Sequence, residues 1–168
     1  FLSVLSLLSH SGGIVQATCQ WDCRWYTGIV RHGYERLPNL HGHDGLTQAN
    51  WAFFPLYPLV SQAVRMGLHI SALWAELSVN LLLWPVLIYL CYQELAARAV
   101  ELDRIGFALF CIIYPFNIWD TSQYSEAVYG VLLVGTLLLL RKNHMAWAAL
   151  ACFLLSLSRP TGFPAAVM

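Results

Sequence analysis

From His69 to Tyr92 the chain runs for 24 residues with one acidic or basic side chain besides the terminal His69, namely Glu76. At ~1.5 Å per residue that is roughly 36 Å of helix, enough to cross the hydrocarbon of a bilayer. The rest of the chain agrees with such a placement. Of 168 residues, 58% are hydrophobic and 11% charged, and the mean hydropathy is +0.58. An ordinary soluble domain carries roughly a quarter charged residues to keep its surface hydrated. Too few charges are present here to cover a globule, so much of the surface is expected to face lipid. The formal net charge of zero and the absence of a basic run exclude a nucleic-acid footprint.

Three further apolar blocks, Ile105–Trp119, Ser125–Leu140 and Met145–Ser158, are shorter than the ~20 residues a span needs. Their flanks extend them to 105–123, 124–140 and 145–158. Short polar turns separate them, and no strand-like alternation is visible, so all four blocks read as transmembrane helices. The expected fold class is therefore all-α: one polytopic transmembrane domain over 1–168. Phe1–Val15 reads as a first helix cut by the start of the chain, and the segment after Arg159 as another cut by its end.

Short loops rich in Lys and Arg stay cytoplasmic. Arg98, Arg104, Arg141 and Lys142 lie in two such loops, which places residues 16–67 and the turns at Asn117–Tyr124 and Arg159 on the opposite face. Within that long first loop, Ala52–Gly67 is apolar but interrupted by Pro55 and Pro58. Ser61, Gln62 and Arg65 recur at helical spacing, which predicts an amphipathic helix lying in the interface. Trp51, Phe53, Phe54 and Tyr57 suit the headgroup level.

Ionisable groups near hydrocarbon are costly and ask for a reason. They gather on the non-cytoplasmic side. The first loop offers Trp21, Asp22, Arg24, Trp25 and Tyr26, then Arg31-His32-Gly33-Tyr34. The second turn offers Asp120, Tyr124, Ser125 and Glu126, and the third offers Arg159. Asp22 has two readings: a general base that takes a proton from an attacking hydroxyl, or a structural group, either a helix cap or an interfacial Asp paired with Arg24. Glu126 suits a helix N-terminus, with Ser125 as cap. Arg159 has no acid nearby in sequence; it either binds phosphate through its planar guanidinium or snorkels to a headgroup.

Other features carry less. His41-Gly42-His43-Asp44 holds metal-ligand types, but its glycines and lack of a second cluster favour a solvated loop, so no metal site is assigned. Glu76 and Asn80 share a helix face and read as packing groups inside the bundle. Cys19 and Cys23 could bridge, although four apart is a helical spacing; Cys91, Cys111 and Cys152 fall in apolar segments. Dinucleotide, P-loop and zinc-protease patterns are missing.

Taken in order, Trp21-Asp22-Cys23-Arg24-Trp25-Tyr26-Thr27-Gly28-Ile29 with His32-Gly33-Tyr34, then Ala52-Phe53-Phe54-Pro55-Leu56-Tyr57-Pro58-Leu59, Tyr124-Ser125-Glu126-Ala127 and Ser158-Arg159-Pro160-Thr161-Gly162 resemble the motifs of PIG-V-type mannosyltransferases. These form the GPI mannosyltransferase 2 family, with its bacterial relatives. Leu77-Ser78-Val79-Asn80 resembles a serine–asparagine pair of the intervening helix. The resemblance implies a multi-spanning GT-C glycosyltransferase whose long first non-cytoplasmic loop carries interfacial helices. It implies an inverting transfer of mannose from a polyprenyl-phosphate donor, such as dolichyl phosphate mannose, to a glycolipid or glycan acceptor. Asp22 would be the base, Arg159 and Arg24 would face the donor phosphate, and Trp21, Trp25, Tyr26, Tyr124 and Glu126 would line the site. No resident cofactor is implied, and metal dependence is left open. The membrane would be that of the endoplasmic reticulum in a eukaryote or the inner membrane in a bacterium. Two other classes remain open: a transporter or flippase, which predicts ionisable groups deep in the spans, and a non-catalytic membrane subunit, which predicts a dispensable Asp22.

Overall fold

The computed structural model describes residues 13–37, 49–98, 101 and 103–162. Most of the first apolar segment, the His41–Asp44 loop and the end of the chain after Gly162 lie outside the described residues. The described part is helical throughout, as the sequence predicts. A short helix α1, Ile14–Thr18, leads into a loop closed by a disulfide between Cys19 and Cys23, with Cα atoms 5.1 Å apart. The spacing left that bridge undecided, and the chain reversal at Trp21 makes it: its φ of 41° turns the backbone so that Cys19 and Cys23 face each other.

Helix α2, Cys23–His32, is amphipathic: Cys23, Tyr26, Thr27, Ile29 and Val30 are buried while Arg24, Arg31 and His32 are exposed. It stops at Gly33, whose φ of 80° suits a residue without a Cβ. The two ends of the following segment are stapled together. Asn50 accepts from the Glu35 amide at 3.1 Å and donates to the Gly33 carbonyl at 3.2 Å, and the Trp51 indole donates to the Glu35 carbonyl at 2.6 Å. Tyr34 donates to the Phe53 carbonyl at 2.7 Å.

Helix α3, Leu56–Leu68, begins directly after Pro55, and Pro58 sits in its first turn, where a missing N–H costs nothing. It buries Tyr57, Pro58 and Ser61 and exposes Leu59, Met66 and Leu68. Helix α4, Ala72–Ala97, is 26 residues long, with Ser71 as N-cap accepting from the Trp74 amide. Among the described residues it alone is long and apolar enough to cross a membrane. Pro85 lies inside it.

Helix α5, Arg104–Ile113, is capped by Asp103, which accepts from the Gly106 amide at 2.6 Å. It ends at Tyr114, because Pro115 cannot continue the ladder. Asn117 folds back to donate to the Cys111 and Ile112 carbonyls. The stretch expected as one span over 105–123 is thus divided: α5, a 3-10 turn at Pro115–Asn117, and a short helix α6, Ile118–Thr121. Helices α7, Glu126–Arg141, and α8, Met145–Ser156, form a tight hairpin that turns at Asn143, with φ 58°.

The interior is where the polar groups are. Glu76, Asn80, Ser61, Ser122, Gln123, Ser125 and Ser158 are buried, while Leu82, Tyr89, Ile105, Phe110, Ile113, Trp147 and Phe153 are exposed. The apolar core centres on Tyr26, Tyr57, Val79 and Val128, with Phe53, Leu56, Val60, Val64, Leu83 and Leu132 packed around it. At the opposite end of α4, Glu94 binds both Arg98 at 2.9 Å and Arg141 at 2.6 Å, tying α4 to the C-terminus of α7.

Candidate functional site

Four stretches far apart in sequence converge at one end of the bundle. The organising piece is the turn Ser122–Ser125, buried throughout. Asn80 of α4 donates through its amide to the carbonyls of Ser122 and Tyr124. Gln123 donates to the Val15 carbonyl at 3.0 Å, and the Tyr124 hydroxyl donates to the Gln20 carbonyl at 2.8 Å. The Ser125 hydroxyl accepts from Tyr26 at 3.0 Å. One turn is thereby fixed to α1, α2, α4 and the disulfide loop.

Asp22 stands at the start of α2, exposed, and its side chain makes no capping hydrogen bond. Of its two sequence readings, the cap is therefore not what the structure shows, and no ion pair to Arg24 forms. Trp21 projects from the loop beside it and packs on Trp119 of α6, ring centroids 5.7 Å apart. Trp119 in turn meets Tyr124 edge-to-face at 5.0 Å. Trp25 turns the other way and stacks on Phe53 at 5.8 Å.

Tyr26 lies at the centre, edge-on to Phe53 and to Tyr57, each at 5.0 Å. This is where the second motif enters: it supplies the aromatic floor under the first. Burial, above all, pushes the Tyr26 phenol above its ordinary value; the bond to Ser125 and the charge of Arg159 oppose the rise, and the Glu126 and Asp22 carboxylates add to it. Tyr26 therefore stays a hydrogen-bond donor at neutral pH. The same balance shows that Asp22, Glu126 and Arg159 all lie within electrostatic reach of one hydroxyl.

Arg159 has a partner after all. Its guanidinium donates to Glu126 Oε1 at 2.6 Å, an ion pair between the turn after α8 and the first residue of α7. The Arg159 side chain keeps 39% of its exposure despite the ion pair. Its turn is held by Gly162, where a Cβ would stand 2.2 Å from the Leu155 carbonyl oxygen. No side chain larger than hydrogen fits so close to the end of α8.

Arg24 is not brought into this group. It lines a separate open cleft with Cys19, Thr27, Gly28, Arg31 and His32. Glu76 is likewise apart: fully enclosed, it accepts from Thr27 at 2.8 Å, and its carbonyl accepts from Tyr57 at 3.3 Å. With Asn80 it joins α4 to the loop helices, which is the packing role its spacing predicts. Among the described residues no three His, Cys, Asp or Glu gather as a metal site would need.

Sequence reasoning missed Trp119, whose only signal was an aromatic residue next to Asp120 in a polar turn. It also missed that Asn80 and Ser125 are the fastening points of the site.

An exposed carboxylate next to an aromatic pair, and an arginine–glutamate ion pair whose charges reach the same tyrosine hydroxyl, are groups that an enzyme acting on polar substrates would use. The comparisons point the same way. Over 158 residues, 86% of this chain, it is 27% identical to GPI alpha-1,6-mannosyltransferase 2 of Mus musculus. The Cricetulus griseus protein of the same name is 26% identical over the same length, and the Homo sapiens one 24% over 153 residues. The four curated relatives found carry the name of the family whose motifs the sequence resembles. The chain spans about 29% of the length of the mouse relative. No family model and no solved structure matches it.

Proposed function

We propose that this chain carries the catalytic end of a membrane mannosyltransferase, which moves mannose from a polyprenyl-phosphate donor to a hydroxyl of a glycolipid or glycan. The observation that carries the reading is Asp22: an exposed, uncapped carboxylate held in a disulfide loop, whose charge reaches the same Tyr26 hydroxyl as Glu126 and Arg159 do. The mannosyltransferase names of the relatives support the reaction class.

Asp22 takes the proton of the acceptor hydroxyl as its oxygen attacks the anomeric carbon. The new carbon–oxygen bond forms as the bond to the donor phosphate breaks on the opposite face, so the configuration inverts. Negative charge then grows on the departing phosphate. Arg159, oriented by its ion pair with Glu126, meets that charge. Arg24, in its own cleft, takes no part in this arrangement. Tyr26, Tyr124 and Ser125 keep the base and the ion pair in register, and Trp25 braces α2 against Phe53.

The inside-out distribution of residues, with polar groups enclosed and large apolar ones exposed, supports a lipid-facing exterior and a multi-pass membrane protein. By the charge of the loops, the site faces away from the cytoplasm, in the endoplasmic reticulum of a eukaryote or the inner membrane of a bacterium. The transporter reading asks for ionisable groups deep in the spans; Glu76 instead stands near the N-terminus of α4, at the end nearest the site, where it accepts from Thr27 of the first-loop helix.

The test is transfer of labelled mannose from dolichyl phosphate mannose by the full-length protein in membranes, wild type against Asp22→Asn. Loss of transfer at equal protein level supports the assignment. Equal transfer by both removes Asp22 from catalysis.

A further inference from the structure

Trp21 is the most strained residue near the site. A large aromatic residue at φ 41° is a genuine outlier, and such strain persists only where the surroundings over-determine it. Here the surroundings are the Cys19–Cys23 disulfide that closes the loop, and the Tyr124 hydroxyl bonded to the neighbouring Gln20 carbonyl. What this holding achieves is not burial. Trp21 stays 71% exposed, and the Trp119 ring it meets 5.7 Å away stays 37% exposed. Two indoles are thus fixed side by side at 34°, and much of Trp21 still faces outward. They flank a cleft of about 140 Å³ that Ala17, Gln20 and Tyr124 also line.

We propose that Trp21 and Trp119 form an aromatic ledge that receives the apolar face of a pyranose ring beside Asp22. The chemistry of the surroundings selects this occupant. The C–H face of a sugar ring carries slight positive charge and suits the negative π face of an indole. Its hydroxyls are donors, and the Asp22 carboxylate next to Trp21 is an acceptor that makes no capping hydrogen bond and has no side-chain partner among the described residues. A phosphate is disfavoured on the ledge, because Asp22 and Asp120 immediately follow the two tryptophans, Arg24 lines a different cleft, and Arg159 is engaged by Glu126. The lipid-linked donor's sugar therefore lies on the ledge while its phosphate lies away from it.

The proposal rests on the mannosyl-transfer reading for the identity of the sugar, and two measurements keep the two apart. The first is hydroxyl-radical footprinting of the Asp22→Asn protein, read tryptophan by tryptophan by mass spectrometry. Dolichyl phosphate mannose should protect Trp21 and Trp119 at least threefold, dolichyl phosphate should not, and Trp147 on α8 should be unchanged by either. Equal protection by both lipids assigns the ledge to the lipid chain and overturns the proposal, as does no protection by dolichyl phosphate mannose. The second is the kinetics of Trp119→Ala and Trp119→Phe in the wild-type background. Trp119→Ala should raise the KM for a sugar substrate three- to tenfold with a smaller change in kcat, and Trp119→Phe should restore most of it. An unchanged KM in Trp119→Ala, with transfer still lost in Asp22→Asn, overturns the ledge and leaves the base assignment standing.

Discussion

Replacing Asn80 by Leu should loosen the site without touching it. Asn80 is wholly enclosed on α4, and its amide donates to the carbonyls of Ser122 and Tyr124. Leucine has nearly the same size and shape but donates nothing. The Ser122 carbonyl keeps the Tyr124 amide at 2.8 Å, so it loses only the net value of one hydrogen bond, about 0.5–1.5 kcal/mol. The Tyr124 carbonyl keeps no other described donor, and an unpaired buried carbonyl costs about 1–3 kcal/mol. The leucine recovers part of this, because the Asn80 carbonyl oxygen it removes is itself buried without a partner. A net loss of roughly 2 kcal/mol follows. For a cooperative unit of about this chain's size that lowers Tm by roughly 4–8 °C. The assay is a thermal melt of detergent-solubilised full-length protein, followed by size exclusion, alongside mannose transfer below the melt. Since the released turn carries Tyr124, Ser125 and Glu126, kcat should fall as well. A variant that melts within about 1 °C of wild type and keeps its kcat would show that Asn80 does not hold the turn.

Four further outcomes follow from particular contacts. Gly162→Ala places a methyl group against the Leu155 carbonyl, so the turn must shift; about 1–3 kcal/mol of stability is lost and the donor KM rises several-fold, read by melt and by steady-state kinetics. Tyr26→Phe removes the bond to Ser125 and costs about 1 kcal/mol, with the fold retained in the same melt. Glu94→Gln removes the charge from the clamp to Arg98 and Arg141 while leaving an acceptor; both arginines are well exposed, so the loss is held to about 1 kcal/mol, and transfer is unaffected. Alkylation of the denatured, unreduced protein should label Cys91, Cys111 and Cys152 but not Cys19 or Cys23, and all five after reduction; labelling of Cys19 or Cys23 without reductant would show the bridge absent.

The helices were legible because their signals are local. Pro55 and Pro58 mark the start of α3 through backbone chemistry visible in a few residues, whereas Pro115, which stops α5, lies inside the one span expected over 105–123. The composition of the four motifs was equally plain. What the sequence could not carry was partnership. Arg159 had no acid nearby in sequence, yet Glu126, 33 residues away, meets it across the α7–α8 hairpin. Trp21 and Trp119 touch only because Gln123 and Tyr124 bind backbone carbonyls about a hundred residues earlier. The disulfide was ambiguous because a four-residue spacing suggests helix, and only the reversal at Trp21 brings the two sulfurs to one side.

The site is held in place despite its distance from the helix interiors. Every group placed near the reaction sits on a turn or a helix end: Asp22 and Trp21 in a disulfide loop, Trp119 on a single helical turn, Glu126 at the start of α7, Arg159 after the end of α8. Such segments are ordinarily the mobile parts of a bundle. Here each is tied by a bond that a polar solvent would weaken: Asn80 to the Ser122–Ser125 turn, Tyr26 to Ser125, Thr27 to Glu76. These bonds are buried, so water does not compete for them, and their strength in the enclosed interior fixes the loops above. Polar residues buried in α4 therefore act on the chemistry at one remove, and Asn80→Leu should lower kcat even though Asn80 touches none of Asp22, Arg159 or Trp119.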